Sequence, residues 1–133
     1  MIVVDACVLA NVVGDDGQTG VAARSLLAAA GEASVPDLAD VETVSVLRKR
    51  WIAGTLTARR FRTAVDDLLA LPIVRYPTGP LMSRAYELRA NVTANDACYV
   101  AVAEALGCTL VTGDAKLARA SGPRCRIEVL TLG

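Results

Sequence analysis

The chain has 133 residues, 53% hydrophobic but only 4% aromatic, and its 14 basic and 14 acidic side chains give a formal net charge of zero. That length fits one domain, residues 1–133, with a core of Val, Leu and Ala, and a balanced charged fraction of 21% argues against intrinsic disorder. Zero net charge excludes a global basic field for gripping nucleic acid, so any polyanion must be held by a local patch.

In chain order, Ile2-Val3-Val4-Asp5 predicts a short buried strand, followed by a helix over residues 6–13 and a loop at Gly14-Asp15-Asp16-Gly17. An Ala- and Leu-rich helix spans 18–30 and stops at Gly31; Ser34-Val35-Pro36 is then extended. A long helix over 37–53 carries Leu38, Val41, Val44, Leu47 and Trp51 at helical spacing, which predicts a core-facing stripe. Thr57 opens a helix over 58–70, with Phe61, Val65, Leu68 and Leu69 as its apolar face, until Pro72 breaks it. Residues 73–75 read as a strand, and Pro80 suits the first position of a helix running to residue 89. Thr93 begins a helix to Leu106 ended by Gly107; a strand at 109–111, a short helix at 115–120 and a strand at 127–130 complete the chain. Strands alternating with helices predict an α/β fold with a mainly parallel sheet covered on both faces.

No apolar run reaches the length of a bilayer span, and Asp5 follows Met1 too closely for a signal peptide, which predicts a cytoplasmic protein. The four cysteines, Cys7, Cys98, Cys108 and Cys125, include no C-x-x-C pair and are expected to be reduced thiols among apolar neighbours, without a zinc site.

Four carboxylates stand where such a fold gathers them: Asp5 and Asp114 after strands, Glu42 on the long helix and Asp96 near a helix start. In parallel α/β sheets the ligand crevice lies beyond the carboxyl ends of the strands. Each acid also has a plain structural explanation. Asp5 and Asp114 suit helix N-caps, Thr93-x-x-Asp96 resembles a capping box, and a glutamate flanking an apolar stripe is ordinarily solvated. Taken together, clustered carboxylates raise one another's pKa and call for a counter-charge, for which a hard divalent cation with oxygen ligands is the usual choice. The chain has no histidine, so a hydrolytic site would lack the commonest general base. Thr112, two residues before Asp114, is placed to orient a neighbouring carboxylate.

Four segments, Ile2-Val3-Val4-Asp5, Asp37 through Glu42, Asn95 through Glu104, and Leu110 through Leu117, resemble the PIN domain, specifically the VapC-type toxins of prokaryotic toxin–antitoxin pairs. The resemblance implies a PIN-like three-layer fold and a Mg²⁺- or Mn²⁺-dependent endoribonuclease acting on structured RNA such as tRNA or rRNA. It implies Asp5, Glu42, Asp96 and Asp114 as catalytic residues. On that resemblance Asp5 and Asp96 would hold the ion, with Asp114 and Glu42 either ligating a second ion or binding metal-bound water. It further implies a homodimer restrained by a VapB-type antitoxin. Two positions depart from the family pattern: Cys7 stands where Ser or Thr is frequent, and Asn95 where Tyr is frequent.

Arg48, Lys49 and Arg50, the cluster Arg59, Arg60 and Arg62, and Lys116 with Arg119 are the basic side chains available to RNA phosphates; a solvated helix face is their plain alternative. A non-catalytic RNA- or partner-binding module on the same fold is the main rival, which metal-dependent cleavage would decide. A phosphoacceptor receiver domain fails because Asp5 is followed by Ala6 and Cys7 rather than by a second acid, and residues 73–75 end in a base.

Overall fold

The computed structural model describes residues 1–130. The chain runs β1 (Ile2–Val4), α1 (Ala6–Gly14), α2 (Gln18–Ala30), β2 (Ala33–Pro36), α3 (Leu38–Ile52), α4 (Ala58–Ala70) and β3 (Val74–Tyr76). A 3-10 turn at Gly79–Leu81 then leads into α5 (Met82–Glu87), α6 (Ala94–Leu106), β4 (Thr109–Thr112), α7 (Ala115–Arg119) and β5 (Ile127–Val129).

All strand pairings are parallel, in the order β3-β2-β1-β4-β5. The central strand sets the register: Ile2 lies opposite Ala33 on one side and Thr109 on the other, and Val3 opposite Ser34 and Leu110. Val3 and Val4 point to opposite faces and are both fully buried, so both faces of the sheet are covered. α1 packs against α2, α3 and α4, whereas α6 lies against β1, β2 and β4 and carries α5. Residues 97–103 of α6 are buried without interruption, as expected of a helix packed on all sides. Because every strand points the same way, all five carboxyl ends lie along one edge. The strand order changes direction at β1, between β2 and β4, which is where such sheets open a crevice.

Local signals place the element ends. Gly31 and Gly107 stop their helices with positive φ (76° and 65°), a conformation costly for any side chain with a Cβ. Thr57 and Thr93 cap α4 and α6 through their side-chain oxygens. Three expectations need correction. The helix at Pro80 begins as a 3-10 turn and ends at Glu87, because Leu88 and Asn91 enter a tight turn that buries Leu88 and Val92. The third strand is shifted by one residue, to 74–76, set by pairing of Val35 with Arg75; Arg75 ties this edge strand to α3 through an ion pair with Asp40 at 2.8 Å.

The third correction concerns α3, which buries Ala39, Thr43 and Leu47 rather than the whole expected stripe. Val41 is 71% and Trp51 46% exposed. Ala39 and Thr43 allow close approach to the neighbouring helices and turn the larger valine outward. Leu69 of α4 is likewise exposed.

Candidate active site

Asp5 follows β1 and caps α1: its Oδ1 accepts from the Val8 amide at 3.0 Å. Its Oδ2 accepts from the Thr112 hydroxyl and from the Gly113 amide at 3.2 Å, so one carboxylate joins the ends of β1 and β4. Gly113 has little room for a side chain, since a Cβ there would lie 3.2 Å from the Cys7 sulfur. Burial pushes the Asp5 carboxyl above its ordinary pKa, and the bonds from Thr112, Val8 and Gly113 oppose that shift. Thr112 is fully buried, and its oxygen also accepts from the Asp114 amide at 3.0 Å. Asp114 caps α7 through the Lys116 amide at 2.8 Å. The capping explanation of Asp5 and Asp114 therefore holds, and both carboxylates stand at the carboxyl ends of the neighbouring strands β1 and β4.

From the other side, α6 contributes Asp96, whose amide donates to Thr93 Oγ1 at 3.2 Å, the forward half of a capping box. Burial raises the Asp96 carboxyl, a hydrogen bond from Thr93 opposes this, and the negative charges of Asp114, Asp5 and Glu42 raise it further. The four acids thus sit within electrostatic reach of one another although separate chain regions supply them. Glu42 is half-buried rather than solvated: Oε2 accepts from the Asn95 amide at 2.7 Å and Oε1 from the Tyr99 hydroxyl at 2.6 Å. Thr112, expected to orient a carboxylate, and Asn95, which stands where the family often has Tyr, each bond a different acid of the group. Tyr99 has no sequence signal of its own beyond lying one helical turn after Asn95.

An all-oxygen, all-anionic donor set suits Mg²⁺ or Mn²⁺ and not the softer metals. Among the described residues no three such side chains close into a tight coordination cage. That is compatible with Mg²⁺, which keeps several waters and needs only one or two carboxylates directly.

Arg48, Lys49 and Lys116 are exposed. Arg50 is half-buried and donates to Asn11 Oδ1 at 2.7 Å, beside a cleft of about 770 Å³ that also contains Thr19, Thr57 and Arg60. Arg60 and Arg62 are engaged by Asp16 and Asp66, which leaves Arg59 as the cluster member outside these ion pairs. Among the cysteines the expectation fails at Cys7, which is exposed beside Asp5 and Gly113 because it starts α1 at the crevice edge. Cys98 is buried, and Cys108 and Cys125 are half-buried free thiols.

The family profile described as PIN domain matches residues 2–123. VapC ribonuclease Mb0985 of Mycobacterium bovis is 42% identical over 130 residues, covering 98% of both chains. Among solved structures, Mycobacterium tuberculosis VapC20, described as a sarcin-ricin loop cleaving toxin, superposes with a TM-score of 0.69 at 19% identity, covering 90% of this chain and 94% of that one. VapBC2 of Rickettsia felis, solved with a DNA fragment from its promoter, superposes with a TM-score of 0.68 at 17% identity, covering 98% and 100%.

Proposed function

The chain belongs to the PIN-domain family as a VapC-type endoribonuclease, and on that premise we propose that its four-acid pocket hydrolyses structured cellular RNA, tRNA or rRNA, with Mg²⁺ or Mn²⁺. The observation that supports this best is the placement of Asp5 and Asp114 at the ends of adjacent strands β1 and β4, with Glu42 tied to α6, the helix that carries Asp96, in a chain with no histidine. Such a pocket favours a bound cation over like-charge repulsion and lacks histidine, the commonest general base. When bound, the divalent ion supplies a more acidic water as nucleophile and neutralises charge developing on the phosphate.

The chain's own residues do the rest. Asp5 and Asp96, with Asp114, would hold the ion, and Asp5 is locked in place by Thr112 and Gly113. Glu42 orients the attacking water from the α3 side. The chain has no histidine, the commonest base for a ribose 2′-hydroxyl, and its pocket acids are assigned to the ion and its water, which favours hydrolysis leaving a 5′-phosphate. Arg48, Lys49, Arg50 and Lys116 steer the RNA backbone. A structured-RNA substrate agrees with the loop-cleaving description of the M. tuberculosis structural relative.

Restraint by a VapB-type antitoxin agrees with the R. felis toxin having been solved as a VapBC assembly. The apolar side chains exposed on α3 and α4 offer it a surface: Trp51, Phe61 and Val65 line a shallow groove of about 300 Å³, with Val41 and Leu69 beyond it. A cytoplasmic homodimer is the form we propose for the toxin; among the described residues no helix is long and apolar enough to cross a membrane.

The test is growth and RNA-end mapping after brief bacterial expression, paired with cleavage of purified structured RNAs. Wild type should arrest growth and cut RNA only with Mg²⁺ or Mn²⁺; Asp96→Asn should do neither, and co-expression of the antitoxin should relieve arrest. Full activity in Asp96→Asn would sink the assignment. Absence of cleavage by folded wild type on every RNA would favour the non-catalytic binding module.

A further inference from the structure

A glutamate on a helix surface has three side-chain torsions and ordinarily samples many rotamers, at an entropic cost when it is held still. Glu42 is held at both oxygens. The Tyr99 hydroxyl donates to Oε1 at 2.6 Å and the Asn95 amide to Oε2 at 2.7 Å. The donors are four residues apart on α6, one helical turn, and therefore share a face.

Asn95 is exposed, whereas Tyr99 is only 2% exposed and is too deep to touch a polymeric substrate. Burial first, and then the bond to Glu42, push the tyrosine hydroxyl well above its ordinary pKa, so it keeps its proton and remains a donor. The same construction recurs across the pocket, where the fully buried Thr112 hydroxyl donates to Asp5. Two of the four acids are thus pinned by buried hydroxyls, while Asp114 is tethered only by the amide of its own near neighbour Lys116.

We propose that Tyr99 is a positioning residue for the cleavage reaction, acting through Glu42, with Asn95 as a second, exposed tether; this rests on the ribonuclease reading above. Because its phenol oxygen is spent on Glu42, Tyr99 contributes to turnover and not to substrate or ion capture.

The test is a double-variant cycle of Tyr99→Phe and Glu42→Ala in the full chain, read by steady-state cleavage of a structured RNA and by melting of the metal-free protein. Tyr99→Phe keeps the ring and removes one atom, so the fold survives. We expect kcat to fall about 10- to 100-fold, the range for groups that orient reactive carboxylates, with KM for RNA and the Mn²⁺-induced rise in melting temperature unchanged. In the Glu42→Ala background the same substitution should cost nothing further, in kcat or in melting temperature. Wild-type kcat in Tyr99→Phe, a change confined to KM, or equal losses in both backgrounds would overturn the proposal. If wild type cleaves no RNA, the ribonuclease reading fails, and the proposed role in cleavage falls with it. The metal-free melting cycle still decides the tether itself, with additive shifts refuting it and non-additive shifts supporting it.

Discussion

Replacing Thr112 by Val keeps the shape of a fully buried side chain and removes only its hydroxyl. That hydroxyl donates to Asp5 Oδ2 and accepts from the Asp114 amide at 3.0 Å. A hydrogen bond to a charged group contributes about 1.5–3 kcal/mol, and a stranded amide costs about 1 kcal/mol more, so Thr112→Val should destabilise by about 2.5–4 kcal/mol. For a domain of this size that corresponds to a fall in melting temperature of about 10–16 °C, at roughly 4 °C per kcal/mol. Losing the donor also removes the principal force opposing the upward shift of the Asp5 carboxyl, so the deficit should shrink as the pH falls and Asp5 takes up its proton. Cleavage should drop about 10- to 100-fold through misplacement of Asp5. Thr112→Ser keeps the hydroxyl and should lose only about 1 kcal/mol for the buried methyl, with activity retained. Urea or thermal unfolding across pH, with initial rates of RNA cleavage, measures all of this. A Thr112→Val protein that melts and cleaves like wild type would refute the reasoning that this hydroxyl holds the site.

Burial raises the carboxyl pKa of Asp5 and of Asp96 in the folded state, so their contribution to stability is fully present below the ordinary carboxylate pKa and is lost as pH rises through the folded values. Relative to an Asp5→Asn/Asp96→Asn variant, the metal-free wild type should therefore lose stability from mildly acidic toward neutral pH, and parallel melting curves would contradict this. Mn²⁺ at neutral pH should raise the melting temperature of wild type and leave the double variant unmoved, because the ion binds only the folded acidic pocket. Arg48→Ala/Lys49→Ala should weaken RNA binding across sequences and make the log–log salt dependence shallower by about one for each phosphate no longer neutralised, while kcat at saturating RNA stays near wild type. An unchanged salt slope would remove these side chains from the RNA path.

Much of the fold is legible because its boundaries are local events. Gly31 and Gly107 end helices by adopting positive φ, Thr57 and Thr93 cap through their own hydroxyls, and Val3-Val4 suits a strand buried on both faces. The residues of the acidic pocket can be named for the same reason, since Asp5 and Asp114 cap helices at strand ends. Their capping and proposed catalytic roles are one geometry and cannot be separated from local pattern.

Tertiary structure decided what depends on residues far apart. The helical spacing of Val41 and Trp51 could not show that small Ala39 and Thr43 bring α3 close to its neighbours and leave the larger side chains outside. Cys7 reads as one more core thiol until the fold places it, exposed, at the start of α1 beside Gly113. Glu42 reads as solvated because its partners, Asn95 and Tyr99, lie 53 and 57 residues away. Sequence alone determined which acids the chain carries and which elements bear them. The order β3-β2-β1-β4-β5 decided that those elements end together, because only parallel pairing about β1 brings the termini of β1 and β4 and the start of α6 to one edge.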